Sequence, residues 1–510
     1  MSALHHSRRN FCSRIIGLAA GFPAIVRAQR PTLTSGVQTG DVTFDSAVVW
    51  ARANRPSQMM VSWSTSERST DLELLKGPAV TAASDFTGTI DLTGLPSGQT
   101  IFYTVHFEDG KNSSELVRGK FRTTTRNPED LRFVWTADLA GQGWGINPDW
   151  GGYRLFETMR KREPRFYLNS GDTIYADGPI QREVKLPDGT LWKNIVTEEK
   201  SKVAETLAEF RGNYRYNLLD ENLKRLNAEV PLVVQWDDHE VLNNWYYEKD
   251  LTADNRYREK DMRKLIQAAS QAFREYNPAR RPKPDQIYRS FSYGPLLDVF
   301  VIDLRSYRGA NSPNRQTAEG PETAFLGKNQ FAWLARSLKE SKATWKVIAS
   351  DMPIGLLVSD GKDPEGRPKF EAIANGPGAP MGRELEIARL LASLKNNRVR
   401  NVVWLTADVH YTAAHYYNPA KAKFTDFDPF WEFVSGPSNA GTFGPNELDE
   451  TFGPEQVFAK HPPAGKLNLP PSAGLQFFGE VEISAKTRAM TVTLRDLAGA
   501  ALFNRELAPA

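Results

Sequence analysis

The sequence predicts an α+β protein, with a small β-sandwich at the front and a larger α/β domain behind it. Three observations carry this. Residues 31–125 hold short β runs separated by Gly- and Pro-containing turns, apolar β runs alternate with helical stretches from about residue 130, and the segment Phe477 to Leu502 returns to β character. At 510 residues, 40% hydrophobic and 25% charged, the chain is long enough for two cores and has an ordinary globular composition.

The first residues stand apart from either core. Ser7-Arg8-Arg9-Asn10-Phe11 precedes an apolar run from Ile15 to Val26, and Val26-Arg27-Ala28 offers a small-residue cleavage site. Residues 1–28 therefore read as a twin-arginine signal peptide, which implies the twin-arginine export machinery as a partner and a periplasmic or secreted destination. The run is shorter than the ~18–20 residues of a spanning helix, and Gly17, Gly21 and Pro23 interrupt it, so no transmembrane anchor is expected. Its removal takes four arginines and no acid. That leaves 60 basic against 61 acidic residues, a net charge of −1, so the basicity of the whole chain (+3) belongs to the signal and no nucleic-acid groove is expected. The only cysteine, Cys12, leaves with it, which removes disulfides and thiolate ligands from the exported chain.

Within residues 31–125 the clearest strands are Ala47 to Ala51, Met59 to Trp63, Thr87 to Leu92 and Thr100 to Val105, with Leu95-Pro96-Ser97-Gly98 as a turn. Across residues 130–510 the strand candidates are Phe133 to Trp135, Phe166 to Leu168, Leu232 to Val234, Val299 to Ile302, Trp345 to Ile348 and Val402 to Leu405. Most are apolar on both faces, as strands covered on either side must be. Helices are expected over Thr197 to Leu226, Asp261 to Tyr276, Asn329 to Leu338 and Arg383 to Leu394. Asp177 to Trp192 and Leu357 to Pro380 read as long loops, either lids or inert surface.

Four of these strands end in metal-competent side chains. Asp138 follows the first; Gly171-Asp172-Thr173-Ile174-Tyr175, Asp237-Asp238-His239-Glu240 and Asp408-Val409-His410 follow three others. One strand-end aspartate can cap a helix or pair with an arginine. Several converging on one sheet edge need positive charge to offset their desolvation, and di- or trivalent cations are the simplest source. His239 is either a proton donor or transition-state partner, or a structural hydrogen-bond partner of Asp238. Arg211, Arg305 and Arg308 either bind an anion or form ion pairs.

These positions resemble the calcineurin-like metallophosphoesterase superfamily, with motifs D-x-H or D-x-G, G-D-x-x-D or G-D-x-x-Y, G-N-H-D/E and G-H-x-H. Within it, the PhoD-like alkaline phosphatase and phosphodiesterase family is the nearest likeness. Trp236-Asp237-Asp238-His239-Glu240-Val241-Leu242-Asn243-Asn244-Trp245 is the most specific match, joined by Ser35 to Asp41 and by Asp303-Leu304-Arg305-Ser306-Tyr307-Arg308. The resemblance implies an immunoglobulin- or fibronectin-like sandwich followed by a four-layer α/β/β/α domain. It also implies metal-dependent hydrolysis of phosphate monoesters or diesters, on a small phosphoester or phospholipid-type substrate, through a metal-bound hydroxide at a two-metal site.

Carried over residue by residue, the resemblance implies one metal held by Asp138, Asp172, Tyr175 and His410, and a second held by Asp172, Asp238 and Asp408. It implies Fe3+ at the first, where a phenolate and carboxylates are hard donors. The nearly all-oxygen second site favours Ca2+, with Mg2+ or Mn2+ as alternatives. His239 takes the catalytic role, and the three arginines that of substrate binding. The family's common cysteine near Asp138 is missing here, so iron has no sulfur contact. No histidine lies between His239 and His410, and Asp408 replaces the first histidine of G-H-x-H, which makes the second cation harder than zinc. Other hydrolase classes are unsupported. Gly436-Pro437-Ser438-Asn439-Ala440 fails G-x-S-x-G, His239 to Asn243 lacks the second histidine of H-E-x-x-H, and there is no P-loop. The non-enzyme alternative is an exported binding protein with purely structural calcium.

Overall fold

The computed structural model describes residues 30–69, 72–280 and 286–510; the expected signal peptide lies outside the described residues. Strands Leu33–Gly40, Ser46–Ala53 and Thr87–Thr93 form one layer of the front sandwich. Glu73–Val80, Ser57–Ser64, Thr100–Asp109 and Val117–Arg122 form the other. Alternating side chains such as Val37, Val49, Ala51, Val61, Ile101, Val105 and Phe121 fill the space between them.

The sandwich is fused to the larger domain. Gly40 pairs in parallel with Leu232, so the three-stranded layer continues a larger sheet whose nine strands include six from the larger domain. Only glycine fits there, because a Cβ at residue 40 would lie 2.1 Å from the Pro278 carbonyl oxygen. Asp85 fastens the same joint: its carboxylate takes Arg52 of the sandwich at 2.9 Å and also Arg215 and the Tyr276 hydroxyl of the larger domain.

The larger domain stacks two sheets face to face. In the first, Leu131–Thr136, Tyr167–Ser170 and Leu232–Gln235 run parallel. Phe477–Ile483, Met490–Asp496 and Ala501–Leu507 extend it antiparallel on the other side of Leu131–Thr136. In the second sheet, Leu297–Val301, Trp345–Ala349, Val402–Thr406 and Phe430–Val434 run parallel.

Phe133, Leu168, Val233, Val299, Val347, Leu405, Val481 and Val492 meet between the sheets. Helices Arg154–Arg160, Leu207–Asn217, Glu221–Glu229 and Met262–Tyr276 cover the outer face of the first sheet, and Lys328–Glu340 and Glu384–Asn396 that of the second. The order is helices, sheet, sheet, helices. Strands buried on both faces, with every residue of Tyr167–Ser170 and Trp345–Ala349 enclosed, are the consequence.

Two local expectations change. The helix expected from Thr197 to Leu226 is broken into a 3-10 turn at Glu199–Ser201 and two α-helices. Thr206 starts the first with a capping box to Glu209, and Asp220 starts the second by accepting the Leu223 N–H. The two long loops carry small hairpins, Glu183–Lys185 with Leu191–Lys193 and Ser359–Lys362 with Pro368–Phe370. Among the described residues no helix is long and apolar enough to cross a membrane.

Candidate metal centre

Three neighbouring parallel strands of the first sheet and one of the second deliver Asp138, Asp172, Asp238, Asp408 and His410 to the same end of the stack. The chain must turn sharply as each strand stops. Asp138, Asp172, Asp408 and His410 all adopt left-handed backbone, with φ of 58°, 50°, 68° and 60°. Aspartate tolerates this region better than most residues, yet four such positions at one site mark a constraint that surrounding structure must hold.

Ligand atoms of Asp138, Asp172 and His410 lie within 4.8 Å of one another, as do those of Asp172, Asp238 and His239, and those of Asp237, Asp238 and Asp408. The Tyr175 hydroxyl is 3.0 Å from His410 Nε2. The donors expected for the first cation therefore lie together, whereas those expected for the second fall in two groups joined through Asp238, one with Asp172 and one with Asp408.

The donor chemistry fits metals. Both carboxylate oxygens of Asp138 and Oδ1 of Asp238 are buried without a hydrogen-bond partner. A buried orphan carboxylate costs several kcal/mol unless it is neutralised. Burial, followed by repulsion from Asp237, pushes the carboxyls of Asp138 and Asp172 well above the usual range. His410 Nδ1 donates to the Gly441 carbonyl, which leaves the Nε2 lone pair facing Tyr175 and the acids. Burial lowers its pKa to about 4, so the ring is neutral, as a ligand must be.

Glu240 ties two of the motifs together. Its carboxylate accepts the backbone N–H groups of Asp172 (3.2 Å), Thr173 (2.6 Å) and Asp237 (2.8 Å) and the Thr173 hydroxyl. His239 donates its backbone N–H to Asp172 Oδ1 at 3.1 Å. Its ring stacks on Tyr175, centroids 4.2 Å apart, and its Nδ1 lies 2.6 Å from Asp177 Oδ1. Burial alone would lower the His239 pKa, but Asp177 and Asp238 outweigh it and raise it to about 9.

The three arginines are corrected. Arg305 is fully buried beneath the cluster, bonded to Asp237 at 2.6 Å, Glu371 at 2.8 Å, Asp351 at 3.2 Å and Asp408 at 3.3 Å. It braces carboxylates and cannot reach a substrate. Arg308 is buried against the Glu371 carbonyl, Asn311 and the Phe325 ring. Arg211 pairs with Glu275 at 2.6 Å and with the Ala83 carbonyl, outside the cleft.

The cleft itself, about 600 Å³, exposes Asp172, Tyr175, Asp238, His239, Asp408 and His410. Asp177, Asn243, Asn244, Arg256 and Phe443 also line it and were not singled out by sequence. Asn243 and Asn244 lie within the Trp236 to Trp245 match and Asp177 two residues past Tyr175, so all three were legible by position. Arg256 and Phe443 sit in stretches without a signal.

Two facing sheets under helices, with this cluster at the strand ends, define a metallophosphoesterase. The chain belongs to the PhoD-like phosphatase family: the family model matches residues 133–494, and that of the family's N-terminal domain matches residues 19–125. It is thus a hydrolase of phosphoric esters. Alkaline phosphatase D of Bacillus subtilis (strain 168) is 27% identical over 454 residues, covering 84% of this chain and 72% of that protein. Among solved structures, one described as PhoD superposes with a TM-score of 0.69 at 21% identity, covering 94% of this chain and 90% of that one. Purple acid phosphatase PPD1 from yellow lupin (Lupinus luteus) gives 0.56 at 11% identity, covering 94% and 74%. At these identities the structures share the fold.

Proposed function

We propose that this is an exported phosphoesterase hydrolysing phosphate monoesters or diesters at a two-metal site, with its catalytic part following the sandwich after a joint near residues 125–130. The observation that carries it is the convergence of buried, unpartnered carboxylate oxygens from separate strand ends beside a neutral histidine. Asp138, Asp172, Tyr175 and His410 would hold Fe3+, and Asp172, Asp238 and Asp408 would hold Ca2+, or Mg2+ or Mn2+. Bound there, such ions supply Lewis-acid stabilisation of phosphoryl charge and lower the pKa of water.

The chain's own residues do the rest. Arg305 fixes Asp237 and Asp408, and Glu240 fixes the Asp172 and Asp237 turns, so the donors are preorganised. Asp177 orients the His239 ring through Nδ1 and leaves Nε2 toward the cleft, where a proton can pass to the departing alkoxide. Phosphate monoester hydrolysis needs acceleration of up to ~10²¹-fold, of which acid–base catalysis gives ~10²–10⁴, hence the need for cations. Export rests on Arg8-Arg9 with the apolar run that follows.

The test is turnover of 4-nitrophenyl phosphate and bis(4-nitrophenyl) phosphate by full-length protein, with metal content measured before and after chelation. Chelation and Asp172→Asn should each abolish both activities, and full turnover by metal-free protein would refute the site. Fractionation of cells expressing the chain with Arg8 and Arg9 changed to lysine tests export; undiminished export would refute that part.

A further inference from the structure

Asp177 joins the proposed acid to a cation at the mouth of the cleft. Its Oδ1 faces His239 Nδ1 at 2.6 Å, its Oδ2 accepts the Asn243 N–H at 2.9 Å, and its backbone carbonyl accepts an Arg256 Nη1 hydrogen at 3.3 Å. Arg256 is the one lysine or arginine among the described residues lining the cleft. Asp254 binds its Nε at 3.0 Å and its Nη2 at 2.7 Å, which aims the guanidinium while leaving N–H groups on both terminal nitrogens free. The Arg256 side chain is 55% exposed and that of Asp254 28%, so the pair stands open to solvent at the mouth of the cleft. Lys249 lies outside the lining, where its Nζ holds the carbonyls of Asn243 and Asn244. Another part of the lining is apolar: Phe443 stands edge-on to His410 at 5.2 Å, and Val358 and Val409 line the cleft as well.

These two parts of the lining divide a bound ester. The acid must reach the oxygen that departs, so the leaving group lies on the His239 side, and its substituents extend toward Arg256, which Asp177 links to His239. The apolar part by His410 is left to the group that stays on phosphorus in a diester. A guanidinium with free, coplanar donors binds a carboxylate or phosphate far better than a neutral group. We propose that Arg256 recognises a second anionic group carried by the leaving alcohol, so that the favoured substrates are phosphoesters whose departing alcohol is itself charged. This rests on the placement of His239 as leaving-group acid, and it adds a substrate class and a specificity-determining residue to that reading.

The experiment compares 4-carboxyphenyl phosphate with 4-carbamoylphenyl phosphate, leaving groups of matched shape that differ in one negative charge, using the metal-loaded full chain. The native enzyme should prefer the carboxylate in kcat/KM. Arg256→Gln should lower the carboxylate-to-carboxamide ratio about tenfold, with the change in KM, and Arg256→Lys should recover part of it. If Arg256 serves only to hold Asp177, both substrates decline together and the ratio is unchanged, which overturns the proposal. A native enzyme without preference for the charged ester also overturns it. Failure to hydrolyse either ester would instead strike at the phosphoesterase site on which the proposal rests.

Discussion

The sharpest prediction concerns Gly436, which touches no substrate. A Cβ at this position would lie 2.2 Å from Asp138 Oδ2, whereas ordinary contact begins near 3.4 Å, so Gly436→Ala must drive the carboxylate about 1.2 Å from its place. Residue 436 lies outside the left-handed region, so alanine meets no positive-φ strain there. Overpacking of this size costs ~1–3 kcal/mol of stability, little enough for a large domain to remain folded. A 1 Å displacement of a catalytic group costs ~10²-fold in rate, or about 2.7 kcal/mol of activation free energy. The assay is kcat/KM on 4-nitrophenyl phosphate together with metal per chain by elemental analysis. Gly320→Ala is the control, because nothing lies within 4 Å of a Cβ there. Native activity and native metal content in Gly436→Ala, with the fold intact by circular dichroism, would refute the assignment of Asp138 as a metal donor.

Glu240→Gln presents an amide to backbone donors that now meet a carboxylate. Losing two charge-assisted bonds at ~1.5–3 kcal/mol each, partly offset because burial, and then repulsion from Asp237, already raise the pKa of the Glu240 carboxyl to about 7, should cost about 3 kcal/mol in urea titrations and lower metal content; an unchanged titration would show that the brace is idle. His239→Gln should reduce kcat ~10²–10⁴-fold for an alkyl phosphate and much less for 4-nitrophenyl phosphate, whose leaving group needs no proton; equal losses would remove the acid role. Asp85 supplies a pH prediction. Burial raises its pKa, but Arg52, Tyr276 and Arg215 outweigh this, so the folded value is depressed below 3.8. Its stabilisation is therefore complete above the unfolded value and disappears as pH falls through the folded one. Asp85→Asn should destabilise the chain at pH 7 by an amount that shrinks toward zero below about pH 4, and a difference independent of pH would contradict this.

Much of the architecture was legible in the chain. Runs such as Leu232 to Val234 and Trp345 to Ile348 are apolar on both faces because they lie between layers, and sequence shows that directly. The cluster was legible for the same reason: a polar group ending such a run can only emerge at a strand end. Helix breaks were harder, since the capping box of Thr206 with Glu209 lies inside a stretch whose apolar spacing continues on both sides. The seven-residue helix Arg154–Arg160 is too short to show a period of its own.

Residue types and spacing by themselves determined the class of each segment and which acids could serve a cation, because these follow from local patterns of polarity. The tertiary structure alone decided what the arginines do. Arg305 and Arg308 stand in a motif, and a motif does not say whether a guanidinium points into a cleft or beneath its floor. That direction depends on which distant carboxylates, here Asp237, Glu371 and Asp408, fold into reach. Arg256, without any motif, came to the cleft for the same reason: electrostatic partners are chosen by proximity in space, which only the packed chain defines.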